Sequence, residues 1–266
     1  MKWVLDVGNT AAKLAGFRDQ ASPWEPPATV HRAEVRAPEV AARTWAKEVG
    51  SDPVLLTGSG EVSMWVDAWE AGRDANGARG GAPVVWPQGT SLPLPTHVKA
   101  PNRLGLDRVA NAWGVLHGAV EGAAPQGSWL VVDVGTCVTF DLVHDQAHWG
   151  GAISPGMALR AKSMHAGTAN LPPISLGDAG GEAGNGAFGV GADTDHAMRV
   201  GAVGGVGAEI HGRWLAMRQE LPNLGVILTG GDAFRLELRH ISPKFADAHL
   251  TLKGYHALFT HHLKPS

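Results

Sequence analysis

Two hydrophobic periods organise this chain. Residues 3–17 (WVLDVGNTAAKLAGF) and 130–143 (LVVDVGTCVTFDLV) each run a short apolar stretch into Asp-Val-Gly, then a hydroxyl-bearing residue, then a second apolar stretch. Such runs broken at a glycine turn predict a strand–turn–strand hairpin. The two copies head the two halves of the chain, a spacing far beyond the ~20–50 residues of a solenoid unit, and so predict two related domains. Between them, Pro38–Val49 predicts a helix, with proline at its start and Gly50 just past its end. Val54–Thr57 predicts a short buried strand. Residues 61–71 put Val62, Trp65, Val66 and Trp69 on one helical stripe, which reads as core packing. Residues 73–83 read as a Gly-rich surface loop, and residues 122–128 (GAAPQGS) as the join between the halves.

A further helical stripe comprises Val109, Ala112, Trp113, Leu116 and Val120. In the second half, Ser154-Pro155-Gly156 forms a turn ahead of a helical pattern through Met157, Ala161 and Met164. Residues 176–191 are Gly-rich and read as a mobile loop, and residues 195–220 read as helical despite their glycines. Residues 225–228 predict a buried strand ending in Thr229-Gly230-Gly231-Asp232, followed by a short helix through Arg239. Residues 250–263 read as one more short strand and a closing helix. Strands alternating with helices make the class α/β.

Composition narrows the function. With 266 residues, 44% hydrophobic and 18% charged, the chain can bury a core and is not disordered. Its 36 glycines and 17 prolines, about a fifth of the chain against a usual ~12%, predict many tight turns and close backbone approaches. A net charge of −3 gives no general attraction to nucleic acid or acidic membranes. The single cysteine, Cys137, excludes an intramolecular disulfide and a cysteine-based zinc site. The residues ahead of Asp6 are too few for a signal peptide, and runs such as 129–132 fall short of the ~18 that span a bilayer, so a cytoplasmic protein is expected. The thirteen histidines contain no His-Glu-x-x-His metal motif. Ten tryptophans against one tyrosine read as packing.

Chemistry concentrates at the turns. In Asp6-Val7-Gly8-Asn9-Thr10, the bare Gly8 lets phosphate oxygens approach the backbone, Asn9 and Thr10 add neutral donors, and Asp6 can hold a hydrated magnesium ion. Lys13 could reach the same anion as a point charge. An ordinary Asx-type hairpin turn is the plain alternative. Asp133-Val134-Gly135-Thr136 repeats the pattern, and two such turns facing each other across a cleft would grip a polyphosphate. Thr139 and Asp141 extend the second hairpin or are simply strand residues; Cys137 reads as a packed small side chain. Gly230 and Gly231 would let an adenine ring or ribose lie against the backbone, or else form a plain strand-to-helix turn. There is no Walker-type P-loop, and residues 201–207 (GAVGGVG) do not follow a strand as a dinucleotide fingerprint would. Asp107 and Arg108 stand at the first turn of the helix after Gly105-Leu106. Asp107 could be a mere cap. Arg108, however, faces the positive end of the helix dipole, which an anionic substrate carboxylate in its guanidinium fork would offset. An ionised Asp107 is a weak base, and it suits phosphoryl transfer, whose loose transition state needs the attacking hydroxyl oriented more than deprotonated early.

Residues 6–10, 101–108 (P-x-x-x-G-x-D-R), 133–136, 150–172 (opening GG-x-I-x-PG) and 229–232 together resemble the type III pantothenate kinases of the sugar-kinase/actin-like superfamily, a family that includes proteins named Bvg accessory factors. The resemblance spans nearly the whole chain. It implies two ribonuclease-H-like domains (the actin-like ATPase fold) with a central cleft, here residues 1–121 and 128–266. It implies ATP-dependent phosphorylation of pantothenate at its terminal hydroxyl to 4'-phosphopantothenate, the first step towards coenzyme A. By the same resemblance Asp6, Val7, Gly8, Asn9, Thr10 and Lys13 would bind ATP phosphates, with Asp6 on the magnesium side. Gly105, Leu106, Asp107 and Arg108 would contact pantothenate, Asp107 serving as proton acceptor. Asp133 would sit at a potassium or ammonium site, Thr136 would contact ATP, and Thr194 would touch pantothenate. Family members are homodimers with the acceptor site near the interface. One departure stands out: the family often has a tyrosine where this chain has Val98, and the only tyrosine is Tyr255, so that contact would be absent or supplied otherwise, as by His97. Two other readings keep the fold: a phosphatase or a kinase for another small hydroxy acid, and a non-catalytic accessory protein that retains the nucleotide site.

Overall fold

The protein's structure, a computed structural model, describes residues 1–19, 22–77, 83–86, 93–177 and 189–261. The chain divides into two compact units: Met1–Glu121 together with the segment from His249 onward, and Gly122–Ala248. The first break falls at the start of the expected join. The second differs from the expected 128–266 domain, because the closing helix returns to the first unit.

In the first unit β1 (Lys2–Val7) and β2 (Ala11–Phe17) form the predicted hairpin. They are joined by β3 (Thr29–Glu34), β4 (Val54–Thr57) and β5 (Val84–Val85) in the order β3-β2-β1-β4-β5, with β1, β4 and β5 parallel. Alternation sends Trp3, Leu5, Val7, Leu14 and Leu56 into a core capped by α1 (Pro38–Val49) and α2 (Val62–Ala75), each buried leucine contributing about 1.5–3 kcal/mol. Helix α1 stops where Gly50 adopts φ 60° and returns its N–H to the Ala46 carbonyl at 3.0 Å. The aromatic stripe of α2 is core, as expected: Trp65 and Trp69 are fully buried, and Trp65 stacks on Trp45 at 5.5 Å. Removing the Trp65 ring would cost about 3–5 kcal/mol. Eight of the ten tryptophans are buried, which bears out packing as their role. Helix α2 runs two residues beyond the expected loop start at Arg73, because Asn76 donates its amide to the Gly72 carbonyl at 2.8 Å and to the Arg43 carbonyl at 3.1 Å. The opposite face of the sheet, carrying Val4, Ala15 and Leu55, packs on α7 (Leu250–His261), which in turn packs on α3 (Leu106–Leu116).

The second unit repeats the plan. Strands β6 (Trp129–Val134), β7 (Cys137–His144), β8 (Ala147–Pro155), β9 (Gly225–Thr229) and β10 (Lys244–Ala246) lie in the order β10-β9-β6-β7-β8, the same connectivity read from the other edge. Asp145 and Gln146, both at positive φ, make the tight β7–β8 turn. Leu130, Val132, Val134 and Phe140 face α6 (Gly205–Met217) and Met157 of α4 (Met157–Ala166). Helix α5 (Thr194–Arg199) continues through a π-helical stretch, Val200–Gly204, into α6, so the expected long helix forms with its glycines accommodated.

Three expectations are corrected. The short helix through Arg239 is only a three-residue 3-10 turn, Ala233–Arg235, since Arg235 bonds back to Asp232 at 3.2 Å and Leu236 is already extended. No strand opens residues 250–263; the helix begins at Leu250, and the short strand precedes it as β10. The alternation Leu250-Thr251-Leu252-Lys253 imitates a strand because α7 is buried nearly all round, leaving no amphipathic stripe. Strands β3 and β8 arise where no strand was read from the residue pattern. Of the Gly-rich stretches expected at 73–83 and 176–191, residues 78–82 and 178–188 lie outside the described residues.

Candidate active site

The first turn is built by the β1–β2 hairpin. Asp6 ends the half-buried side of β1 on the sheet face that α7 covers, directly opposite Lys13 on β2 and beside Thr57 on β4. Gly8 donates its N–H to the Ala11 carbonyl at 3.0 Å, so that donor is used inside the hairpin, and the exposed Asn9 and Thr10 form its tip. Val7 contributes backbone alone, because its side chain is in the core. Behind the hairpin the Thr57-Gly58-Ser59-Gly60 turn presses close. A Cβ on Gly58, at φ 144°, or on Gly60 would lie 2.2 Å from the carbonyl oxygens of Val7 and Gly8 respectively, and the Gly60 N–H bonds Val7 O at 2.8 Å. The Thr57 hydroxyl is buried and has no hydrogen-bond partner among the described residues.

The second turn has the same parts. Asp133 pairs with Thr139 on β7 and with Thr229 on β9, whose buried hydroxyl also lacks a partner among the described residues. Gly230, at φ 96°, occupies the place of Gly58: a Cβ there would lie 2.4 Å from the Val134 oxygen and 2.5 Å from Asp133 Oδ1. Asp232 N–H bonds Val134 O at 2.9 Å as Gly60 bonds Val7 O. The structure therefore gathers Asp133, Gly135, Thr136 and Gly230, with Gly231 exposed next to them. The turn pair Thr-Gly-Ser-Gly and Thr-Gly-Gly-Asp, with Thr57 and Thr229, is a second repeat, visible in the sequence but outside the Asp-Val-Gly pattern. Two hard-oxygen donors side by side, a carboxylate and an orphaned hydroxyl, fit a hydrated or alkali cation at each turn. No cluster of three acidic, His or Cys groups exists among the described residues, so bound phosphate or backbone oxygens must complete any coordination shell.

The Gly105-Leu106-Asp107-Arg108 element opens α3 in the first unit. Asp107 Oδ1 accepts the Arg108 N–H at 2.8 Å, and a Cβ on Gly105 would lie 2.6 Å from that oxygen. The glycine is what lets the carboxylate fold back along the chain. A negative charge there is favoured by the α3 dipole. Leu106 is buried and offers only its backbone, while Asp107 and Arg108 are half-buried. In the second unit Thr194 is exposed at the start of α5, behind an Asp193 that caps His196 N–H at 2.7 Å.

Two further polar groups have structural partners. Asp141 is buried and bonded to the buried His148 at 2.7 Å, which makes it a strand residue with a fixed partner. Cys137 is exposed, not packed as expected. Glu209 on α6 accepts from Arg213 at 2.9 Å and from Ser154 at 2.9 Å, and also bonds Arg160. Partial burial pushes its carboxyl upward, but these donors hold it below the usual range. A cavity of about 430 Å³ beside Gly58 and Gly60, lined by Val62, Val66, Val85 and Trp86, holds none of the predicted site residues.

A sequence model of the family described as type III pantothenate kinase matches residues 3–215. A type III pantothenate kinase of Bacteroides fragilis is 37% identical over 67% of this chain and 70% of its own length, and one of Thermus thermophilus is 38% identical over 58% and 57%. Among solved structures, a conserved putative Baf family transcriptional activator from Campylobacter jejuni aligns over 97% of both chains at TM-score 0.53 and 17% identity. A putative 2-dehydro-3-deoxygalactonokinase from Sinorhizobium meliloti aligns over 100% of both at TM-score 0.51 and 14% identity, so the fold is that of the actin-like ATPases and sugar kinases.

Proposed function

The chain belongs to the type III pantothenate kinase family, and from that premise we propose how its residues carry the ATP-dependent phosphorylation of pantothenate that opens coenzyme A synthesis. The observation that carries the assignment of roles is the Asp107 carboxylate, folded over Gly105 at the head of α3 with Arg108 next to it. Arg108 fixes the carboxylate of pantothenate through its planar fork. Asp107 Oδ accepts a hydrogen bond from the terminal hydroxyl, orients its oxygen towards the γ-phosphorus, and takes the proton as the P–O bond forms. Pantothenate then leaves as 4'-phosphopantothenate, and ADP is the second product.

The twin turns serve the nucleotide. Asn9, Thr10 and Lys13 meet ATP phosphates at the first turn, since the Gly8 N–H is already used, and Asp6 with Thr57 faces the magnesium ion that accompanies ATP. Magnesium supplies charge neutralisation of the phosphates. At the second turn Thr136 contacts phosphate, Gly230 and Gly231 give a bare surface to adenosine, and Asp133 with Thr229 holds a potassium or ammonium ion. The orphaned hydroxyls beside both aspartates support this reading. Thr194 reaches pantothenate. A homodimer is supported by Trp149 and Ile153, which stand exposed on β8 at the open edge of its sheet. A cytoplasmic setting is where ATP and a free thiol coexist; no helix among the described residues is long and apolar enough to cross a membrane.

The test is Asp107→Asn, assayed as pantothenate-dependent ADP release. Turnover should fall roughly 10²–10⁴-fold with the fold intact; near-normal turnover rejects the assigned role. Replacing potassium by sodium in the same assay tests the monovalent site, and light scattering on a sizing column tests the dimer.

A further inference from the structure

The two phosphate turns are supported differently from behind. In each unit the residue just after the third strand donates its N–H to the hairpin tip: Val35 to the Thr10 carbonyl at 3.4 Å, and Gly156 to the Thr136 carbonyl at 3.0 Å. Gly156 fits so tightly that a Cβ there would lie 2.0 Å from Gly135 O and 2.6 Å from Thr136 O. The Ser154-Pro155-Gly156 segment is thus the back wall of the second turn.

That wall is held by side chains from α4 and α6. Arg160, one turn into α4, donates Nε to the Pro155 carbonyl at 2.8 Å and Nη2 to Ser154 Oγ at 3.1 Å. The same Nη2 meets Glu209 Oε2 on α6, which also accepts Ser154 Oγ at 2.9 Å, and Arg213 anchors the other carboxylate oxygen at 2.9 and 3.1 Å. Arg213 lies over the Phe140 ring at 4.6 Å, tying the network back to β7. In the first unit Val35 is held instead by a neutral donor from the core helix: Trp65 Nε1 donates to its carbonyl at 3.2 Å.

We propose that Arg160, seated on Glu209, is a positioning residue for ATP: it fixes Ser154–Gly156 and thereby the height of the Gly135–Thr136 turn against the nucleotide. Arg160 touches neither substrate. The inference rests on the reading that Thr136 contacts ATP. A guanidinium fork with three acceptors in fixed directions does this better than an ammonium, which can satisfy them only one or two at a time.

The test compares three variants of the full chain, Arg160→Ala, Arg160→Lys and Thr136→Val, by initial rates at varied ATP and pantothenate alongside thermal unfolding. Arg160→Ala should raise the KM for ATP roughly tenfold, the factor that losing one charge-assisted hydrogen bond corresponds to, with the KM for pantothenate unchanged and Arg160→Lys in between. Thr136→Val should raise the KM for ATP as well. If Thr136→Val raises it and Arg160→Ala lowers only the unfolding temperature, the positioning role is overturned while the ATP site stands. If Thr136→Val leaves the KM for ATP unmoved, the reading of the turn fails and the proposal with it. Should Arg160→Ala not fold, Glu209→Gln is read in its place: it keeps the shape but loses the charge that seats Arg160, and an unchanged KM for ATP there overturns the proposal.

Discussion

The hairpin tips of the two units start from the same residues, Asp-Val-Gly, and end as different devices. The first is one residue longer, exposes Asn9 and Thr10, faces a lysine across the ladder, and is backed by a 3.4 Å hydrogen bond. The second is short, faces Thr139, and is walled in by Gly156 and the Arg160–Glu209 clamp. What the two share is the floor: a threonine beside the aspartate, then a glycine at positive φ against the hairpin backbone. A duplicated frame has kept what its backbone geometry requires and varied what meets solvent and ligand.

The shared floor gives the largest expected effects. Gly58→Ala and Gly230→Ala each combine a strained φ with a collision against a strand carbonyl, for a loss of about 4 kcal/mol in chemical unfolding. Equal costs uphold the equivalence of the two floors; a cost below about 1 kcal/mol at either site breaks it.

The second contrast lies between buried histidines. His256 in the first unit stacks on Phe17 at 4.0 Å, and its Nδ1 lacks a partner among the described residues, whereas His148 in the second unit is bonded to Asp141. Burial pushes His256 down to about 4, against a weaker opposing hydrogen bond to the Pro23 backbone. The folded state therefore binds fewer protons than the unfolded one between pH 6.5 and about 4. The stability this group contributes is complete above pH 6.5 and lost on acidification, on the order of 3 kcal/mol. In His256→Phe the fall in unfolding free energy between pH 6.5 and 4 should flatten by that amount; an unchanged slope would mean that the ring is solvated.

Lys13 and Thr139 separate the turns by chemistry. Lys13→Ala should raise the KM for ATP roughly tenfold, the worth of one charge-assisted contact, while Thr139→Ala leaves it alone. Equal effects would mean that the two turns meet phosphate in the same way. Thr57→Val and Thr229→Val carry the smallest change. Each removes an unsatisfied buried hydroxyl and should stabilise the cation-free protein by about 1 kcal/mol. Thr229→Val should also raise the potassium concentration giving half-maximal activity. A stability loss in potassium-free buffer would show that these hydroxyls already have partners.

The parts of this fold legible in the sequence were those with a local cause. Asp-Val-Gly between apolar runs predicts a hairpin, and Pro38 with Gly50 brackets α1 to the residue. Strands β3 and β8 were not legible because each lies at a sheet edge, half-exposed, where no face needs to be apolar throughout. The candidate site divides the same way. Asp107 and Arg108 stand out by their position at a helix start, yet the reason for Gly105 two residues earlier, room for a folded-back carboxylate, appears only in three dimensions. Arg160 and Glu209 are far apart in sequence and nothing local links them. The Gly156 wall likewise depends on a contact with Thr136 that no spacing rule encodes.

The return of α7 to the first unit sets an order of events during synthesis. Helix α3 and the Val4 face of the first sheet lack their cover until residues 250–261 have been made. The second unit, begun later on the ribosome, thus has all of its pieces before the first does, and the nascent amino-terminal half must wait with an apolar flank open to chaperones.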